Sequence, residues 1–327
     1  MILVTGATGL VGSQLLLSLA KGNAQVRALK RPGASMDVVR LAFRNELPLF
    51  EKVEWMEGDV NDLFSIEDAF RDVKEVYHCA AKVSFIPAEF RQVLKTNTEG
   101  TANMVNMALA ASVEKFCHVS STAALGRSAP GEELTEETTW TTSRYNSGYA
   151  ISKYGAEREV WRAMEEGLNA VIVNPSIVIG PGDLRTGSSM LFGAVKDGLR
   201  FFPTGSSGFV DVRDVVTSMT RLMHEEAWGQ RFIVSSQNVS YREIIDEIAT
   251  CFGKKRPTIT VGKTLAEIGW RAEWLRTLIT RSQPMITKET ARNGTNHWNY
   301  SNAKIASRIN MKFIPVSESI KWTCSFF

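Results

Sequence analysis

Met1-Ile2-Leu3-Val4-Thr5-Gly6-Ala7-Thr8-Gly9-Leu10-Val11-Gly12-Ser13 opens the chain, and this stretch decides the fold class. Residues 1–4 read as a short buried strand, and a helix begins near Leu10, with Leu15, Leu16, Leu17 and Leu19 following. Gly6, Gly9 and Gly12 stand between them at the spacing of a dinucleotide-binding turn. The first glycine allows the tight turn, the second lets backbone approach a pyrophosphate, and the third lets the helix pack close to the strand. The helix N-terminus offers unpaired N–H groups and a positive dipole end to the phosphates. Thr8, Leu10 and Val11 complete the candidate contacts of this turn. A glycine-rich turn can also bind nothing; the flanking strand and helix favour a ligand.

Beyond the turn, short apolar runs alternate with helical patterns. Candidate strands are Ile2–Thr5, Gln25–Leu29, Val53–Glu57, Glu75–His78, Phe116–Ser120, Ala170–Asn174 and Arg231–Val234. Crossover helices fall near Ser13–Ala20, Ile66–Phe70, Thr101–Ala110 and Tyr149–Glu165. This alternation predicts an α/β fold, a Rossmann-type doubly wound parallel sheet, with ligand at the carboxyl ends of the strands. Thr5, His78 and Ser120 fall at those ends. Past Pro175 the pattern loosens into Gly, Pro, Ser and apolar pieces, where a smaller substrate-binding domain is expected.

Tyr149-Ala150-Ile151-Ser152-Lys153 points to chemistry. Residues four apart share a helix face, so the Lys153 ammonium can sit beside the Tyr149 phenol. A nearby cation favours phenolate and lowers a tyrosine pKa from about 10, tuning it to pass a proton to or from a substrate oxygen. An ordinary surface Tyr–Lys pair is the alternative.

Composition sets bounds. The 327 residues give ample chain for a large core, 44% are hydrophobic, and a net charge of +3 is too small to suggest nucleic acid or membrane as a partner. No apolar run approaches the roughly 20 residues of a membrane span. The chain enters its first strand at once, leaving no room for a signal peptide, and its four cysteines lack metal-like spacing. Free thiols in a reducing, cytoplasmic setting and no metal site are the expectation. Lys263–Arg281 carries Leu265, Ile268, Trp274, Leu275 and Leu278 at helical spacing with arginines between. That pattern suits a helix lying on a membrane surface. The preferred reading is a helix packed over the substrate domain.

Taken together, the motifs resemble the extended short-chain dehydrogenase/reductase superfamily, also called the NAD-dependent epimerase/dehydratase family. The glycine turn is followed by Gly58-Asp59-Val60, Tyr77-His78-Cys79-Ala80-Ala81, Asn97-Thr98-Glu99-Gly100-Thr101 and His118-Val119-Ser120-Ser121-Thr122. Next come the Tyr149/Lys153 pair, Asn174-Pro175-Ser176-Ile177-Val178-Ile179-Gly180-Pro181-Gly182, and Phe209-Val210-Asp211-Val212-Arg213-Asp214-Val215. Within the superfamily the chain looks most like the dihydroflavonol 4-reductase-like branch.

The resemblance implies a dinucleotide-binding domain over 1–175, with 205–235 returning to it, and a substrate-binding domain built from 176–204 and 236–327. It implies Ser121, Tyr149 and Lys153 as the catalytic set, with Lys153 also bonding the nicotinamide ribose. Ser121 is chosen over Ser120 and Thr122 because Gly126 matches the family glycine five residues on. Asp59 resembles the residue that meets adenine, although a plain helix N-cap would look the same. Val60 lends backbone beside it, Ala80 and Ala81 leave room for the cofactor, and Asn97 is read as ordering local backbone. Pro175, Ile177 and Val178 are expected along the nicotinamide ring. Phe85, Ser121 and Phe192 are substrate-side candidates.

Cofactor choice rests on Leu29-Lys30-Arg31-Pro32-Gly33, which has no acid until Asp37. Enzymes for NAD usually present Asp or Glu to the ribose 2′-hydroxyl, whereas a 2′-phosphate needs cations. Lys30 and Arg31 therefore favour NADP(H), with NAD(H) possible; solvated loop cations are the alternative. Three functions compete. One is hydride transfer to a ketone or aldehyde, or the reverse. The second is epimerisation or dehydration of a nucleotide sugar on a retained cofactor. The third is a non-catalytic NADPH-binding sensor or scaffold. Asn174 stands where sugar-nucleotide enzymes usually carry Arg, while Arg213 keeps a diphosphate contact open. A homodimer is common in the family.

Overall fold

The computed structural model describes residues 1–126, 132–143, 146–280, 284 and 286–327. Its central sheet comprises β1 (Ile2–Thr5), β2 (Val26–Lys30), β3 (Glu54–Glu57), β4 (Glu75–His78), β5 (Lys115–Val119), β6 (Ala170–Pro175) and β7 (Gln230–Val234). All seven strands run parallel in the order β7-β6-β5-β4-β1-β2-β3. Each lies within one residue of the bounds expected from sequence. The strand order reverses between β1 and β4, so the loops leaving their carboxyl ends diverge and open a crevice there.

Side-chain alternation divides the sheet between two cores. Val4, Cys117, Val171 and Val173 face the side covered by α1 (Leu10–Lys21), with Leu15, Leu16 and Phe232. Leu3, Phe116 and Ile172 face the side covered by α2 (Gly100–Ala110) and α3 (Gly148–Glu165), with Met104 and Val160. Central β6 is buried along its whole length, as a parallel strand covered on both faces must be. Edge strand β3 carries exposed Glu54 and Glu57, charges that discourage further pairing. Helix α4 (Val212–His224), capped by the Asp211 carboxylate accepting from the Arg213 N–H, completes the α1 side.

A third core gathers Ile179, Phe192, Phe209, Ile244, Ile248 and Ile320 beside a smaller sheet of Ile177–Ile179, Ser206–Asp211 and Gln237–Ser240. The returning segment thus begins in the small sheet, packs α4 against the large one and joins it at β7. Ile305, Ile309 and Met311 pack into the first core, so the end of the chain also touches the large sheet. Helix Lys263–Thr280 departs from expectation. It packs on Lys288–Thr295 but buries Ala266, while Leu265, Ile268, Trp274, Leu275 and Leu278 stay exposed.

Candidate active site

The glycine turn is shaped by close backbone approach. Gly6 sits at φ +62°, and a Cβ there would come within 2.5 Å of the Cys79 carbonyl carbon. A Cβ on Gly12 would stand 2.2 Å from the Gly6 oxygen, so only glycine lets α1 start against the turn. At the helix N-cap, Gly9 supplies no side chain to satisfy the first N–H groups, and no acid occupies the first turn. An uncapped, uncharged helix start beside the crevice is what a pyrophosphate requires. The residues present therefore fit a dinucleotide.

Beside the turn, the ends of β1 and β4 are tied through Thr5 and His78. Thr101 Oγ1 donates to the Asn97 carbonyl (2.6 Å), which leaves it accepting from His78 Nε2 (3.0 Å). His78 Nδ1 then accepts from Thr5 Oγ1 (2.7 Å), and Thr5 accepts from the Ala80 N–H (3.2 Å). This network assigns the tautomer. Burial, reinforced by the Lys153 charge, lowers the His78 pKa to about 3, so the ring is a neutral strut. Asn97, in a π-helical stretch over Lys95–Glu99, spends its amide on Lys82 backbone and Ser152 Oγ. Ser152 in turn donates to the Tyr149 carbonyl, which anchors the start of α3.

Ser121 and Tyr149 meet. The Ser121 hydroxyl lies close enough to the Tyr149 phenol to favour its ionised form, and its oxygen accepts from the Ala123 N–H (3.2 Å). Ser120 and Thr122 are buried beside it, and Ser121 keeps partial exposure. Phe85 packs edge-on against the Tyr149 ring, with centroids 5.6 Å apart. Lys153 donates to the Val119 carbonyl (2.8 Å) at the end of β5. Its position does not lower the tyrosine pKa as expected. Burial raises Tyr149 to about 12, opposed by the nearby Ser121 hydroxyl. Lys153 is itself only 2% exposed, and burial drops its pKa to about 8, while Glu157 and Cys79 pull it back up. Loss of hydration outweighs attraction for both groups.

Sequence reading missed the support behind this set. Asn174 Nδ2 donates to the Ser121 carbonyl (3.0 Å) and to Glu157 Oε1 (2.5 Å). Glu157 Oε2 pairs with Arg231 Nη1 at 3.3 Å, and Arg231 also donates to the carbonyls of Glu136 and Thr138. A polar chain thus runs from the loop after β5 through α3 to β7. One signal was legible: Glu157 lies four residues beyond Lys153, continuing the Tyr149–Lys153 face. The pairing with Arg231, 74 residues away, was not.

Around the crevice the other candidates divide. Asp59 is no helix cap: Asp62 caps the following helix, and Asp59 Oδ1 accepts from the backbone and side chain of Asn61 at 2.9 Å each. Val60 turns its carbonyl to Asn103. Ala80 and Ala81 keep surface at the end of β4, and Pro175 closes β6 with Ile177 and Val178 half-buried just after it. Leu10 lies within reach of Gly180 and Gly182, joining the glycine turn to that segment. Lys30 is paired with Glu57, whereas Arg31 is exposed, with no carboxylate partner among the described residues. Phe192 departs from expectation: at 3% exposure it belongs to the third core, where helix Met190–Lys196 packs inward. Arg213 is held by Asp211 in a two-point contact and lies 4.1 Å over the Trp322 ring. Among the described residues no cluster of His, Cys, Asp and Glu could hold a metal ion, and no helix is long and apolar enough to cross a membrane.

Comparison with known proteins agrees with this geometry. The NAD dependent epimerase/dehydratase family matches residues 2–234. A Synechocystis protein provisionally named a dihydroflavonol 4-reductase is 31% identical over 270 residues, covering 79% of this chain and 74% of its own length. The UDP-glucose 4-epimerase of Vibrio cholerae is 29% identical over 268 residues, covering 77% and 76%. The crystal structure of gox2253 superimposes with a TM-score of 0.83 at 26% identity, covering 100% of this chain and 97% of that one. The chain belongs to the NAD-dependent epimerase/dehydratase family, the extended short-chain dehydrogenase/reductases, and is an NAD(P)-dependent enzyme of that type.

Proposed function

We propose that this protein reduces a ketone or aldehyde, or oxidises the corresponding alcohol, with NADP(H) as the favoured cofactor. The observation that carries this reading is the placement of the Ser121 hydroxyl beside the Tyr149 phenol, with Lys153 one turn along α3. When bound, the cofactor supplies or accepts the hydride. Gly6, Gly9 and Gly12 with the start of α1 would hold its pyrophosphate, Asp59 and Val60 its adenine end, and Lys153 its nicotinamide ribose. Tyr149, held as a neutral phenol by burial, is the proton donor that a reduction needs. Ser121 donates a second hydrogen bond to the substrate oxygen as charge develops on it. Phe85, against the Tyr149 ring, supplies an apolar wall.

Two observations weigh against a nucleotide-sugar substrate. The Asn174 Nδ2 hydrogens are spent on Ser121 and Glu157, and Arg213 is already neutralised by Asp211. Preference for NADP(H) rests on exposed Arg31, positioned by sequence at the end of β2. The test is a panel of ketones, aldehydes and nucleotide sugars assayed by NADPH absorbance, beside fluorescence titration of NADPH and NADH. Turnover of a nucleotide sugar without net change in NADPH would refute the reductase reading. Equal affinities for the two cofactors would refute the preference.

A further inference from the structure

We propose that helix Lys263–Thr280 docks this enzyme on a bilayer surface rich in anionic headgroups. The helix has 18 residues, yet Ala266 is its buried one. Ile268 is 59% exposed, Trp274 57%, Leu275 54%, Leu278 58% and Ile279 76%. Ala266 marks the face turned to the protein, and Lys288 of helix Lys288–Thr295 lies 5.6 Å from the Trp270 ring on that side. At the border of the apolar face, Arg292 donates to Glu267 at 3.3 Å.

Concentration separates this patch from ordinary scatter. Residues 259–286 hold eight of the seventeen large apolar side chains that are exposed among the described residues. Single exposed apolar residues are normal, but a contiguous set marks an interaction surface. Charge names the partner. Residues 254–292 carry nine Lys and Arg against three acids, a local charge of +6 in a chain whose total is +3, so the remaining residues sum to −3. A basic segment on a protein that is otherwise acidic will turn that segment towards an anionic surface.

The breadth of the apolar face favours a plane over a second helix. At about 100° per residue, Leu265, Ile268, Leu275 and Ile279 cluster on one side, and Leu278 and Trp274 widen the band to roughly half the circumference. A two-helix seam would use only a narrow strip of that width. Exposed tryptophan suits the headgroup level, where its ring and N–H meet both media. Glu267 and Arg271 fall within the band but are paired with each other, and Arg271 is folded back on the Trp270 ring. No described helix is long or apolar enough to cross, so the helix would lie in the interface.

The experiment is sedimentation of the full-length protein with phosphatidylcholine vesicles, with and without phosphatidylglycerol. Wild type should bind the anionic vesicles and release at high salt. The double variant Ile268→Glu/Leu275→Glu should bind them weaker by on the order of a hundredfold, from loss of two buried apolar side chains. Both positions are exposed, and unchanged cofactor titration would confirm folding. In the unaltered protein, vesicles should blue-shift an emission component that Trp274→Phe lacks. Failure to bind anionic vesicles, or equal binding by the variant, would overturn the proposal. So would light scattering that shows a dimer which the variant converts to monomer, since a second copy would then cover the face.

Discussion

Replacing Lys153 with Met should stabilise the cofactor-free protein while removing the proposed catalysis. Lys153 is 2% exposed, and burial drops its pKa from 10.5 to about 8. The sign follows from proton binding. Between pH 10.5 and 8 the unfolded chain holds the Lys153 proton and the folded chain does not, so this group costs stability as pH falls through that window. Below about pH 8 both states are protonated and the cost is constant. A difference of about 2.5 units corresponds to about 3 kcal/mol. Methionine removes that cost, and losing the Lys153 bond to the Val119 carbonyl returns about 1 kcal/mol of it. The variant should therefore unfold about 2 kcal/mol harder at pH 7, and the gain should vanish as pH approaches 10.5. Urea unfolding of both proteins at several pH values measures this directly. A variant no more stable than wild type at pH 7, or a gain that does not shrink with pH, would refute the reasoning.

Three further outcomes are expected. Tyr149→Phe should fold and bind cofactor normally while turnover on a confirmed substrate falls by about 100- to 10,000-fold, measured by NADPH absorbance. Glu157→Gln should destabilise by about 2 kcal/mol in urea, less than the roughly 3–5 kcal/mol of a broken buried pair because Arg231 keeps its carbonyl contacts. It should also push the Lys153 pKa further down, so the alkaline limb of the pH–rate profile moves to lower pH. Gly12→Ala should cost about 1–3 kcal/mol by thermal unfolding and weaken cofactor binding, because the new methyl would meet the fixed Gly6 oxygen at 2.2 Å.

The large sheet was legible because parallel strands buried on both faces must be apolar throughout, and β6 advertises itself as Ala-Val-Ile-Val. The glycine turn was legible because its spacing answers to backbone sterics. What sequence misjudged was electrostatic. A Tyr–Lys spacing shows that two groups share a face, but not how much water each loses. Here dehydration governs, and Tyr149 moves up where attraction alone would move it down. Phe192 misled for a related reason, since an aromatic among loops can line a pocket or fill a core, and packing decides. Lys263–Thr280 was read with the right periodicity, but it packs on Lys288–Thr295 through Ala266 and not through its apolar stripe. Its apolar stripe specifies a face without saying whether protein covers it.

The late return of β7 governs the order in which the molecule can assemble. Until residue 234 has been synthesised, β6 has a neighbour on one side only, and its wholly buried residues stand as an open sheet edge. Glu157 meanwhile waits without the guanidinium that will pair with it. A nascent chain or fragment ending near residue 225 would therefore present a sticky strand beside a carboxylate that keeps Asn174 and Lys153 but lacks its guanidinium. Such an intermediate invites self-association and chaperone capture. The strand that seals the sheet is also the one that completes the electrostatics of α3, so closure and competence arrive in a single step.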